Sequence, residues 1–331
     1  MAPARASALR STLGAAAFGC GIFFCAAAFA KDVLPETGPL WAQTMQRMLL
    51  VDAERFGNRI VAVGDRGYIV ISDDDGKSWR RARAPAAPLL TALDFLDDTA
   101  GIAVGHDSVI LVTADRGETW TQAFSAPAEG RPLLDILFVK RDFAVAVGAY
   151  GAYYESVDGG KTWAGRKISQ DDKHFNAVLE LGDGRLLIIG EAGTILASND
   201  WGKSWSAVAS PYKGSLFGGV VAEDGAVIAF GMRGRIYRSK DKGATWTQVD
   251  NASSATLMGA EKMPDGTLVL AGAGGTALLS RDNGRSFVPI QTGTTRTLSK
   301  AVPGGEDTIL LLGEIGSIAV KVPSRKAVPT E

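Results

Sequence analysis

The chain is poor in the residues that most often carry chemistry. Of its 331 residues, two are cysteine and two are histidine. Both cysteines, Cys20 and Cys25, fall inside residues 1–30, which read as an export signal. Arg5 and Arg10 give it a positive start, Leu13 to Phe29 an apolar run, and Ala28-Phe29-Ala30 a small-x-small cleavage site before Lys31. Cleavage there leaves no thiol, which excludes disulfides and zinc–thiolate sites from the mature chain. An uncleaved anchor is the alternative, but the run is shorter than the ~20 apolar residues a spanning helix needs. A lipoprotein signal through Ala17-Phe18-Gly19-Cys20 lacks its usual leucine. Export to the periplasm, or to a thylakoid lumen in a photosynthetic cell, is the expectation. His106 and His174 stand in different repeats without a thiol beside them, so no metal is expected. A net charge of −1, or −3 once Arg5 and Arg10 are removed, supplies no bulk field toward nucleic acid or anionic lipid. Neither a G-x-S-x-G elbow nor a P-loop is present, and no catalytic residue or cofactor is expected.

What the chain has is glycine, 40 residues of it, and a repeat. The pattern S/T-x-D-x-G-x-S/T-W/F occurs six times, from Ser72-Asp73-Asp74-Asp75-Gly76-Lys77-Ser78-Trp79 to Ser280-Arg281-Asp282-Asn283-Gly284-Arg285-Ser286-Phe287. Its aspartates are Asp74, Asp115, Asp158, Asp200, Asp241 and Asp282, and successive glycines stand 41 to 43 residues apart. The pattern resembles the Asp box, or BNR repeat, of β-propellers. Upstream of each box an apolar run, Gly-x-x-Gly and a second apolar run recur, as in Ile60-Val61-Ala62-Val63-Gly64-Asp65-Arg66-Gly67-Tyr68-Ile69-Val70-Ile71. The first glycines, 64, 105, 148, 190, 231, 272 and 313, number seven, and the second copy has Ser108 for its second glycine. Short β-branched runs bounded by glycine predict buried strands, and a period near 40 predicts propeller blades.

Seven Gly-x-x-Gly units against six boxes predict a split last blade. Glu36-Thr37-Gly38-Pro39-Leu40-Trp41 matches the second half of a box. The expected fold is therefore an all-β, seven-bladed propeller of four-stranded blades, one domain over residues 31–331 with a tail from 323. Its last blade would take an outer strand from about residues 40–45, leaving no open sheet edge. The box itself is read as a fold element. Its Asp accepts hydrogen bonds from its own turn, its glycine takes positive φ, and its aromatic residue packs toward the next blade. The run Asp73-Asp74-Asp75 lacks the spacing and distal Glu of a calcium loop.

Propeller topology puts the Gly-x-x-Gly hairpins and the blade-to-blade crossovers on one face, opposite the boxes. That face collects Arg47, Arg66, Arg131, Lys173, Lys213, Arg233 and Arg296, with Tyr150, His174 and Tyr212 among them and Asp65, Glu129, Asp171, Asp172 and Glu191 as acidic neighbours. The expectation is a basic and aromatic ring that docks an acidic partner segment. Solvated loop residues are the competing account of the same positions.

Taken together, residues 40–322 resemble the photosystem II stability/assembly factor family. The unit Gly190-Glu191-Ala192-Gly193-Thr194-Ile195-Leu196-Ala197-Ser198-Asn199-Asp200-Trp201-Gly202-Lys203-Ser204-Trp205 carries the likeness most specifically. The resemblance implies a non-enzymatic accessory factor that binds a membrane protein complex subunit, an assembly client or a transporter, through an arginine-rich surface; a monomer is expected. Nothing in the residues indicates photosynthesis. The competing class is a glycoside hydrolase or carbohydrate-binding propeller, since sialidases also carry Asp boxes. Their Arg-Ile-Pro signature is matched only at Arg59-Ile60.

Overall fold

A computed structural model describes residues 39–305 and 307–322. The expected export signal of residues 1–30, Glu36-Thr37-Gly38 and the tail from residue 323 lie outside them. The described chain forms seven antiparallel sheets, six of four strands and one of three. Each sheet follows chain order, as in blade 1: inner strand Leu50–Phe56, second Arg59–Gly64, third Ile69–Ser72 and outer Arg80–Arg81. Successive inner strands touch, and the last, Leu298–Pro303, returns to the first, so the sheets close into a seven-bladed all-β propeller.

The second strands are apolar on both sides because each blade is covered by two neighbours. Ile60, Val61, Ala62 and Val63 are all fully buried: Ile60 and Ala62 pack toward blade 7, Val61 and Val63 toward blade 2. The core is thus a series of layers between blades. Box glycines belong to these layers. A Cβ on Gly76 would meet Leu310 of blade 7 at 2.6 Å, and one on Gly284 would meet Ile228 of blade 5 at 2.3 Å.

The Gly-x-x-Gly hairpin anchors each blade to its own inner strand. The residue after the first glycine donates its N–H to the carbonyl just ahead of that strand, at 2.8–3.1 Å in all seven blades. That bond brings the carbonyl against the glycine, and at Gly148 a Cβ would stand 2.2 Å from Pro132 O. In six blades the third hairpin position is left-handed, with Arg66 at φ 55° and Tyr150 at φ 55°. Ser108, in place of the second glycine, also takes φ 51° and donates its hydroxyl to Arg131 O at 2.7 Å.

Blade 7 departs from the expectation in two ways. Residues 40–45 give no outer strand: Pro39–Met45 is a helix, and among the described residues the sheet stops at three strands. Ala, Gln and Met favour a helix over an extended chain, and Pro39 opens it at the position where a missing N–H costs nothing. The helix closes the ring by packing, with Trp41 and Met45 against Trp79, Leu310 and Leu312, and Trp41 Nε1 donating to Trp79 O at 2.7 Å. The hairpin of blade 7 is also one residue shorter, pairing Gly313 with Gly316. Ile315 stands where the other blades adopt positive φ, a conformation a β-branched residue resists.

Candidate functional site

The face that carries the hairpins also carries the crossovers, because each second glycine rests on a crossover carbonyl. Gly67 lies against Ala87 O, Gly193 against Tyr212 O, Gly234 against Ser253 O and Gly316 against Met45 O. All seven basic residues singled out in the sequence lie on these segments. Arg66 and Arg233 occupy left-handed hairpin positions in blades 1 and 5. Arg47, Arg131, Lys173, Lys213 and Arg296 sit on crossovers entering blades 1, 3, 4, 5 and 7. The fold spreads them around the rim and does not gather them into one pocket.

Their charges are unequally matched. Arg66 lies 3.5 Å from Asp65, Lys173 3.6 Å from Asp171 and Arg296 3.9 Å from Glu314. Arg47, Arg131, Lys213 and Arg233 are exposed and, among the described residues, enter no ion pair. Acidic neighbours are partly occupied: Glu129 accepts from Tyr154 Oη at 2.7 Å, and Glu191 accepts from the His174 N–H at 3.2 Å. A cavity of about 510 Å³ lies here, lined by Arg131, Tyr150, Tyr154, Arg166, Asp171 and Asp172. Tyr150 is 53 % exposed and meets His174 edge to face at 4.8 Å.

On the opposite face every box closes on itself. Asp158 accepts from Ser156 Oγ at 2.8 Å, Thr162 N–H at 2.9 Å and Thr162 Oγ1 at 2.6 Å. The hydroxyl and amide of Thr162 hold Asp158 down at about 2, and Asp200 and Asp241 stand at about 2 for the same cause. Asp74, Asp115 and Asp282 accept the same set of bonds. Of the aspartate run, Asp73 is taken by Arg59 and Asp75 by Arg55. Among the described residues no group of three or more His, Cys, Asp or Glu is placed to hold a metal ion.

The sequence reading missed the channel. The inward edge of each inner strand has no strand beside it, so its amides need other acceptors. Acidic residues of the preceding blade supply them. Asp52 accepts from Leu93 N–H at 3.0 Å, Glu54 from Phe95 at 2.8 Å, Asp94 from Phe138 at 2.5 Å and Asp135 from Val178 at 2.8 Å. Lys300 faces them, 3.1 Å from Asp52 and 3.4 Å from Glu261. Burial, and then the neighbouring Asp94 charge, push Glu54 up to about 8. Burial pushes Asp94 and Asp135 up to about 7, and Glu261 upward as well. Against that same burial, Asp52 and Glu261 hold the Lys300 ammonium above its ordinary range. The signal was present as isolated Asp and Glu at alternate positions of otherwise apolar inner strands.

The family model of the photosynthesis system II assembly factor YCF48 matches residues 123–294, more than half the chain. The chain belongs to this family. The family is one of assembly factors and is non-enzymatic. Among solved structures, YCF48 bound to a D1 peptide is 17% identical with a TM-score of 0.68, covering 88% of this chain and 95% of that one. YCF48 from Cyanidioschyzon merolae is 17% identical with a TM-score of 0.64, covering 83% and 95%. A GH74 xyloglucanase from Xanthomonas campestris is 15% identical with a TM-score of 0.62, covering 83% of this chain but 52% of its own. At such identities the structures establish the fold alone. No curated protein matches.

Proposed function

We propose that this chain is a non-enzymatic periplasmic scaffold that holds a segment of a membrane-protein subunit during assembly of its complex, and that the segment docks on the hairpin face. One observation carries the reading: Arg47, Arg131, Lys213 and Arg233 are exposed there and, among the described residues, enter no ion pair, while Glu129 and Glu191 are engaged locally. Arginine captures carboxylates through two parallel bonds, which suits an acidic segment. Membership of an assembly-factor family supports a binding role, as does a solved YCF48 of the same fold that is bound to a D1 peptide. The test is capture from native membranes by the full chain and by a variant with Arg47, Arg131, Lys213 and Arg233 all changed to Ala. The membrane subunit should be recovered by the first and lost by the second; equal recovery rejects the face. Periplasmic export is tested by fractionation and N-terminal sequencing, with a mature start at Lys31 expected.

A glycoside hydrolase is the second reading, and one observation favours it. A cavity of about 540 Å³ at the box-side mouth of the channel is lined by Glu54, Asp94, Glu223 and Glu261, and paired carboxylates are what such chemistry needs. Against it, Glu54 and Asp94 each spend an oxygen on a backbone amide, and Glu261 faces Lys300. Hydrolysis of an oligosaccharide and sialoside panel, lost in Glu54→Gln, would establish it in place of the scaffold.

A further inference from the structure

Among the described residues, blade 7 alone leaves its third strand, Gly316–Lys321, without an outer strand, and only the first residue is met from outside, Gly316 N–H bonding Met48 O at 2.9 Å. In the other six, an outer strand pairs two or three residues of the third, as Arg81 and Arg80 pair Val70 and Ile71 in blade 1. The next residue then donates inward, Ala82 N–H to Ile69 O at 2.9 Å and Val208 N–H to Ile195 O at 2.9 Å. The second strands fix the equivalence. Val63, Ala62 and Val61 pair with Ile69, Val70 and Ile71, and Leu312, Leu311 and Leu310 pair with Ser317, Ile318 and Ala319. Ile69, Val70 and Ile71 are all buried, whereas Ser317 and Ile318 are half-buried and Ala319 is exposed. Alternate residues of an antiparallel strand turn N–H and C=O to the same edge. Ser317 and Ala319 therefore present theirs outward, as Ile69 and Ile71 do to a partner.

Beside this edge lies a cavity of about 500 Å³, lined by Trp41, Met45, Trp79, Ile315 and Ser317. In blades 2 and 3 the box tryptophan bonds its own turn, Trp120 to Gly117 O and Trp163 to Gly160 O. Trp79 instead donates Nε1 to Ser317 Oγ at 3.1 Å, which aligns the indole with the open strand. The charges left unpaired along the edge have one sign. Asp73 and Asp75 are paired with arginines and Asp74 is held by its box. Lys77 and Lys321 are exposed and, among the described residues, enter no ion pair.

We propose that this edge is a second docking site, taking an extended segment of a partner polypeptide as the antiparallel fourth strand of blade 7. The segment places an apolar side chain in the Trp41–Trp79 cavity and an acidic residue toward Lys77 and Lys321. Main-chain bonds supply affinity, and the cavity and lysines supply selection. A second copy is a poorer occupant, because its own edge brings the same two lysines into opposition.

The test uses the full chain and fluorescent peptides of about eight residues, aromatic at the centre and Asp or Glu at both ends, followed by anisotropy and by amide hydrogen exchange. Saturable binding with slowed exchange at Ala319 is expected. Affinity should fall at least about tenfold for peptides N-methylated at alternate amides and for the Lys77→Glu/Lys321→Glu double variant. It should also fall at least about tenfold for Ala319→Pro, a change that outward-facing edge positions accommodate. Arg66→Ala/Arg233→Ala should bind unchanged, which separates this edge from the hairpin face. Indifference to N-methylation and to both edge variants overturns the proposal, as does binding of none of the peptides. Ala319 already protected in the free chain at every dilution assigns the edge to the chain's own residues, and protection that grows with concentration assigns it to a second copy; either overturns it.

Discussion

The two faces of the ring handle charge in opposite ways. On the box side, six aspartates are each surrounded by hydroxyl and amide donors from within four residues, and none is left to act on anything else. On the hairpin side, the backbone is just as regular, with the same anchoring bond in all seven blades. The side chains there follow no repeat: Arg66, Asp107, Tyr150, Ala192, Arg233 and Gly274 share one backbone conformation. A repeated residue marks what closing the ring demands. A varied residue on a repeated backbone marks where the ring is free to specialise.

The largest expected effect tests the shared anchor. Gly148→Ala puts a methyl group against the Pro132 carbonyl and should cost about 2–4 kcal/mol, since rigid backbone blocks relaxation; the guanidinium midpoint reads it. On the box side, Asp115→Ala strips Thr119 and Thr113 of their acceptor and should cost about 1–2 kcal/mol by the same measurement. A loss as large from Arg233→Ala would erase the contrast between the faces.

A pH titration sharpens it further. Box aspartates at about 2 stabilise the fold above the ordinary carboxyl range and lose that contribution only as pH falls toward 2. The channel acids run the other way. Glu54 at about 8 and Asp94 and Asp135 at about 7 hold protons more tightly folded than unfolded. Their contribution is complete below about pH 4 and is lost as pH rises through 7 to 8. Between pH 5 and 8 the boxes are silent, so stability should fall across that window. Asp94→Asn should flatten the fall and gain about 1 kcal/mol at pH 8. The smallest effect belongs to Arg47→Ala, Arg131→Ala, Lys213→Ala and Arg233→Ala, each within about 0.5 kcal/mol of the parent in stability, while capture of the membrane subunit is lost when the four are combined.

The blade count, strand order and the division into faces were legible because period, glycine and box all state one geometry. Blade 7 was not. A half-box at Glu36–Trp41 suggested a strand, but helix preference in Leu40-Trp41-Ala42-Gln43-Thr44-Met45 overrode the analogy with the other blades. Ile315 was the readable sign of a different turn, since it occupies the position where Arg66 and Tyr150 are left-handed. The channel carboxylates were hidden for another reason. An Asp in an inner strand looks like a solvent-facing residue until closure of the ring turns its solvent side into an interior.

The helix Pro39–Met45 sets a timetable for the molecule. Trp41 and Met45 leave the ribosome among the first residues of the ring, and Leu310 and Leu312, on which they rest, leave among the last. Through most of synthesis those two side chains have nowhere to go. The ring becomes a ring only after its final sheet exists, and a ribosome-bound chain is a curved stack of blades with an apolar knob waiting at its front.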